Sequence, residues 1–207
     1  MQFVSPRNLI LLASAALITI FVAMLATVVM APGNSDASIN EQSSGKALIG
    51  GPFTLTDHQG VTRTEQDLLG KHSILYFGFT YCPDACPTAL GQMTAALDLL
   101  SPEQQQHIRP VFVTVDPERD TVAAIADYVS LFSDKMMGLT GTQEQIDQVK
   151  SVYRVYSQKA ESDDTSDYLV DHSSYIYVMA PNGDYLKHFS HNDSAETMRK
   201  YLADILG

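Results

Sequence analysis

Cysteine is scarce: the 207-residue chain has two, four positions apart, which excludes a multi-disulfide scaffold and a four-thiolate zinc module. Any sulfur chemistry is confined to one place. Basic residues are also few, because 13 Lys and Arg stand against 24 Asp and Glu and leave a formal net charge of −11. That disfavours a nucleic-acid binder working by phosphate neutralisation. An acidic surface suits a basic protein partner or solubility. Internal repeats are absent.

Charge is missing altogether from Leu9 to Ala31, a run of 23 residues with only three hydroxyl side chains. A helix needs roughly 20 apolar residues to cross a hydrocarbon core about 30 Å thick, so this run predicts a transmembrane segment. A cleavable signal core is shorter, roughly 7 to 15 residues, and the small-residue site at Val29-Met30-Ala31 is followed by Pro32, so an uncleaved anchor is expected. Arg7 precedes the run, while Asp36 and Glu41 outnumber Lys46 after it, which puts residues 1–8 in the cytoplasm and the rest outside. No cysteine stands directly after the run and no Arg- and Ser-rich presequence is present, which argues against a lipoprotein and a mitochondrial precursor. The expected location is a bacterial inner membrane, single-pass, facing the periplasm.

Residues 32–47 are rich in Ser, Asn and Gly and read as a flexible tether spanning about 20 to 24 Å. Residues 48–207 have the size of one domain. Within it Ile74–Phe79 and Val111–Val115 are short apolar runs of the kind buried on both faces of a sheet. Between them Leu90, Met93, Leu97 and Leu100 recur at helical spacing, predicting a right-handed parallel strand–helix–strand unit. Further helices are signalled by Asp120-Thr121 before VAAIADYVSLF, by Thr142 with Gln145 before IDQVKSVY, and from about Ser194 to Leu206. Asn182-Gly183 between SYIYVMA and DYLKHF predicts a hairpin, and His58-Gln59-Gly60 a small leading one. The expected fold class is α/β, with helices on both faces of a mixed sheet, parallel at its centre and antiparallel at one edge.

The central strand runs straight into Cys82-Pro83-Asp84-Ala85-Cys86-Pro87. This places the thiols at the carboxyl end of a strand and the amino end of a helix, where unpaired amides favour anions and lower thiol pKa values. If both sit on the helix, their α-carbons lie about 6 Å apart, close enough for a disulfide or for one shared metal ion. A structural disulfide is the plain alternative in an oxidising compartment, although so short a loop gains little stability from it. Two thiolates suit Cu(I) and tolerate zinc, and they leave coordination incomplete. Of six histidines, His172 stands at the turn leading into the late hairpin, a candidate third ligand; a lone loop histidine is more often a surface residue. For His58, His72, His107, His188 and His191 the surface or hydrogen-bonding role is expected.

Four motifs in register, GKHSILYFGFTYCPDACPTAL, VFVTVDPERDT, GLTG and YLVDHSSYIYVMAPNGDY, strongly resemble the Sco/SenC family of membrane-anchored, thioredoxin-like copper proteins. The resemblance covers nearly all of the domain, from about Gly50 to Leu206. It implies a thioredoxin-like fold, a copper ion as Cu(I) or Cu(II), and metal ligands Cys82, Cys86 and His172, with Asp84 and Asp171 as candidates to support them. It also implies delivery of copper to the copper A site of cytochrome c oxidase subunit II. Partners would be that subunit and another periplasmic copper chaperone or thiol reductase. Reduction of the cysteines of that site, with a Cys82–Cys86 disulfide as the oxidised state, is the alternative role. Tyr81 stands where members often have His, and Val122 where Pro is common. Three residues between the cysteines, instead of the two of dithiol oxidoreductases, favour holding a metal without excluding redox work.

Overall fold

The computed structural model describes residues 48–160 and 168–207. The expected cytoplasmic segment 1–8, anchor 9–31 and tether 32–47 lie outside the described residues. Among the described residues no helix is long and apolar enough to cross a membrane.

Among the described residues, seven of nine strands form one mixed sheet. They are β1 (Thr54–Asp57), β2 (Thr62–Thr64), β3 (His72–Gly78), β4 (Ile108–Thr114), β5 (Met137–Thr140), β8 (Tyr175–Met179) and β9 (Tyr185–Ser190), in the order β2-β1-β5-β4-β3-β8-β9. The central β3, β4 and β5 are mutually parallel. From His72 to Gly78, β3 is half-buried at its first residue and buried at the other six, as expected of a strand covered on both faces. The sequence predicted antiparallel pairing at one edge only. The structure has it at both: β8 and β9 on one side, β1 and β2 on the other, because β1 pairs antiparallel with β5. The four-residue strand β5, MGLT, is too short for periodicity to reveal this edge.

Helix α1 (Ala85–Asp98) connects β3 to β4, and the four-residue α2 (Pro102–Gln105) follows it. Helix α3 (Val122–Ser130) begins at Thr121, whose hydroxyl accepts from the amide of Ala124. Helix α4 (Gln143–Tyr153) begins with the predicted Thr142–Gln145 capping box, and α5 (Ala195–Leu206) with Ser194. Strand parity places helices on both faces. Phe112 packs on Tyr128 of α3, with ring centres 5.2 Å apart, while Phe77 and Tyr177 pack on Tyr153 of α4. Helices α1 and α5 pack against each other. The sequence did not predict the second, two-stranded sheet, β6 (Ser157–Lys159) with β7 (Val170–His172). Both strands are three residues long and mostly polar, so they carry no apolar alternation.

Candidate metal centre

The site is assembled where β3 ends. Cys82 lies in the turn after the strand, its amide donating to the carbonyl of Phe79 at 3.2 Å, and Cys86 is the second residue of α1. The expectation that both cysteines sit on the helix is therefore corrected. The residue before a proline is steered away from helical torsions, and Cys82 precedes Pro83, a signal the sequence contained. Cys86 precedes Pro87 and is helical all the same.

The Cys86 amide donates to Cys82 Sγ at 3.3 Å. An orphan donor of the first helical turn is thus satisfied by a sulfur where a capping oxygen would ordinarily sit. Asp84, the cap residue, makes no side-chain cap bond. His172 arrives from the far end of the chain, at the last position of β7 rather than in a turn. Its Nε2 lies 3.4 Å from Cys86 Sγ, and its Nδ1 lies 3.2 Å from the carbonyl oxygen of Ser173. A carbonyl only accepts, so Nδ1 donates to it, and Nε2 is the ring nitrogen turned to the sulfurs. The rings of Tyr76 and Phe79 meet the imidazole edge-on, at 6.0 and 5.8 Å, and hold its plane.

Ligand atoms of Cys82, Cys86 and His172 all lie within 4.8 Å of one another, close enough to hold one metal ion. Both thiols are free. They are unequal: Cys86 is fully buried, Cys82 and His172 only partly. A hydrogen bond from Cys86, with others from His172 and the amides of Cys86 and Asp84, holds the Cys82 thiol pKa down at about 4 against the opposing effect of burial. The same bond to Cys82, then burial, pushes the Cys86 thiol up. The two shifts run in opposite directions, so Cys82 is the more acidic thiol of the pair. Alkylation of the reduced chain by iodoacetamide is expected to reach half its maximal rate near pH 4 and to stay flat above about pH 6. A rate climbing tenfold per pH unit through pH 8 would mark Cys82 as an ordinary thiol.

A model of the SCO1/SenC family matches residues 41–207, which takes in every residue of this site. This chain belongs to the SCO1/SenC family. It is 47% identical over 149 residues to the human mitochondrial SCO1 homolog, covering 72% of this chain and 50% of that protein. Against the Rickettsia conorii SCO2-like protein RC0895 it is 42% identical over 155 residues, covering 74% and 75%. The chain spans about half the length of the mitochondrial SCO1 relatives from human and Arabidopsis thaliana. Arabidopsis thaliana ScoI, solved with copper bound, superposes with a TM-score of 0.69 at 42% identity over 76% of this chain and 98% of that one. Bradyrhizobium japonicum ScoI, also with copper bound, gives 0.70 at 37% identity over 75% and 98%.

Other expected residues of this SCO1/SenC protein lie around the three ligands in distinct ways. The Asp84 amide faces Cys82, while its exposed carboxylate accepts from Thr88 Oγ1 at 3.4 Å. Asp171 is exposed on β7, beside His172 but on the opposite side of the strand by alternation. With Tyr156, Tyr175 and His191 it lines an open cleft of about 440 Å³ that His172 also borders. His58 accepts from the Gly138 amide through Nδ1 at 3.1 Å, and His188 contacts Tyr185 Oη at 2.5 Å, so both serve as hydrogen-bonding residues.

Sequence reasoning missed Gly78. A Cβ there would lie 2.8 Å from Cys86 Sγ and 3.0 Å from Tyr76 Cε1, so only glycine lets the buried thiol seat against the strand. It also assigned no role to Asp116 and Arg119 of the DPERD motif, and it read Asp120 only as part of a helix start, whereas the cap is Thr121. Asp120 accepts from the Thr80 amide at 3.1 Å, from Thr80 Oγ1 at 2.6 Å and from Thr114 Oγ1 at 2.6 Å, pinning the residue two before Cys82.

Proposed function

We propose that this chain is a copper metallochaperone which holds one copper ion through Cys82, Cys86 and His172 and passes it on by ligand exchange. The observation that carries this reading is the convergence of two sulfurs and one imidazole nitrogen within 4.8 Å. Soft thiolates select Cu(I), imidazole also suits Cu(II), and three ligands leave room for an incoming ligand of the recipient. Copper-bound structures of the plant and bacterial ScoI proteins support the choice of metal. Copper here is cargo. The recipient is the copper A site of cytochrome c oxidase subunit II, during oxidase assembly, with another periplasmic copper chaperone as donor. The protein works at a bacterial inner membrane, anchored by residues 9–31, with residues 48–207 in the periplasm; its resemblance to bacterial SCO2-like proteins supports a bacterial setting.

Titration of the reduced full-length chain tests this reading. One copper per chain is expected for Cu(I) and for Cu(II), the latter with thiolate-to-copper charge-transfer absorption. Zero stoichiometry, or Cu(II) binding without that absorption, overturns it.

The asymmetry of the thiols favours a second reading, a thiol–disulfide oxidoreductase serving the same site. Cys82, partly exposed and thiolate-like, attacks a substrate disulfide and releases one substrate thiol. Buried Cys86 then displaces the second, leaving Cys82–Cys86 as the disulfide and the substrate with two thiols. Incubating the reduced chain with an oxidised subunit II copper A peptide and counting peptide thiols decides it. Two new thiols per chain oxidised are expected, and an unchanged count removes this role.

A further inference from the structure

The two segments that bring ligands to the site are far apart in sequence, and among the described residues the polar contacts between them are those of His172 with the two cysteines. One is Thr80 to Cys86. The other is the β6–β7 pair, which lies outside the seven-stranded sheet. Both are gripped by one loop, residues 116–120, between β4 and α3. On the thiol side, Asp120 takes the three hydrogen bonds from Thr80 and Thr114, and the Arg119 guanidinium lies 4.8 Å from the ring of Tyr81 and 5.8 Å from that of Phe79. On the histidine side, the buried Tyr168, four residues before His172, donates from Oη to Asp116 Oδ1 at 2.7 Å. The Arg119 guanidinium stacks 3.7 Å from its ring centre, and Arg119 Nε donates to Asp116 Oδ2 at 2.6 Å. Lys159 of β6 reaches the same loop through Glu118 Oε2 at 2.6 Å and lies 4.5 Å over the Tyr168 ring.

Partly buried contacts of this kind outweigh the exposed one. The Lys159–Glu118 pair is about half exposed on both sides and contributes little. By contrast, Arg119 and Asp116 are 15% and 1% exposed and make a charge-assisted bond, with a stacked aromatic ring on the cation. Arg119 touches aromatic side chains of both ligand-bearing segments at once, while its partner Asp116 holds the hydroxyl of one of them. A displacement of Tyr168 shifts the start of β7, hence the reach of His172 toward Cys86.

We infer that Asp116, Arg119 and Tyr168 form a latch that sets the position of His172 relative to the two thiols, and so tunes metal affinity without touching the metal. These are positioning residues for the site proposed above, and the inference rests on that reading. Outer residues that orient metal ligands commonly change affinity 10- to 100-fold when altered.

The test is a double-mutant cycle on the purified full-length chain, reading Cu(II) affinity by competition with a chelator. Tyr168→Phe removes one hydroxyl and is expected to lower affinity about tenfold. In the His172→Ala background the same change is expected to have less than a twofold effect, because the ligand through which it acts is gone. Equal losses in both backgrounds, or none in either, overturn the latch. Asp116→Asn, at the acceptor of the Tyr168 hydroxyl, supplies the same comparison if Tyr168→Phe does not fold, with near-ultraviolet circular dichroism of the apo chain as the folding control. Should His172→Ala itself bind copper like the parent, the three-ligand site fails first and the latch falls with it. A loss confined to the parent background is a result that a merely structural role does not produce.

Discussion

Replacing His172 by alanine is expected to lower copper affinity by about 100-fold or more, since altering residues that only support a ligand already costs 10- to 100-fold. Nε2 is the ligand nitrogen brought to the thiols, 3.4 Å from Cys86 Sγ, and Nδ1 is committed to the Ser173 carbonyl. No other histidine belongs to a group of potential metal ligands among the described residues. Two thiolates remain in the variant, so binding weakens instead of vanishing, and Cu(II), which draws more on imidazole than Cu(I) does, suffers most. The Cys82–Cys86 disulfide still forms on oxidation, because His172 contributes no atom to it. Competition with chelators for each oxidation state, alongside thiol counts before and after oxidation, measures both halves. Unchanged copper affinity would remove His172 from the ligand set.

Asp120→Ala is expected to destabilise the fold by about 3 kcal/mol, as a net of unsatisfied buried donors at about 1 to 3 kcal/mol each and the relieved desolvation of the carboxylate. For a domain of this size that is a fall in melting temperature of roughly 6 to 12 °C. Asp120 is fully buried and accepts from one amide and two hydroxyls. Removing it leaves the Thr80 amide and the hydroxyls of Thr80 and Thr114 without that acceptor, and Thr80 is the residue that leads into the thiol turn. Burial pushes the Asp120 carboxyl above the usual carboxylate range, against the hydrogen bonds from Thr114 and Thr80. The fold therefore prefers it protonated: its contribution to stability is fully present below the ordinary carboxylate pKa and fades as pH rises through the raised one. Thermal melts of parent and variant from pH 4 to 8 check both points. The gap between them is expected to narrow as pH rises, and a melting temperature within 2 °C of the parent at every pH would show that Asp120 anchors nothing.

Much of this fold was legible because its strongest elements are local. The runs around Leu75 and Val113 are buried on both faces and largely apolar, the predicted caps at Thr121 and Thr142 are made by those side chains, and the last helix starts at Ser194 as expected. The hairpin at Asn182-Gly183 follows from turn chemistry, with Gly183 at φ +84°. Elements that escaped are short or polar. Strand β5 has four residues and β6 and β7 three each, below the length at which a period of two shows.

The candidate site divides along the same line. Spacing alone placed two thiols at a strand–helix junction, and the four motifs in register named the family and the three ligands. That much is local or additive along the chain. Only the tertiary structure decided that Cys82 is off the helix with its thiol pKa held down while Cys86 is buried with its own pushed up, since this asymmetry depends on which sulfur meets the amides and the imidazole. Only it assigned work to Gly78, to Asp120 and to the latch, whose partners are 40 to 52 positions apart, as the Cys86–His172 contact joins residues 86 apart. Pattern in a sequence reports what a residue's neighbours along the chain require; burial and long-range hydrogen bonds report what its neighbours in space require, and metal ligands are held by the latter.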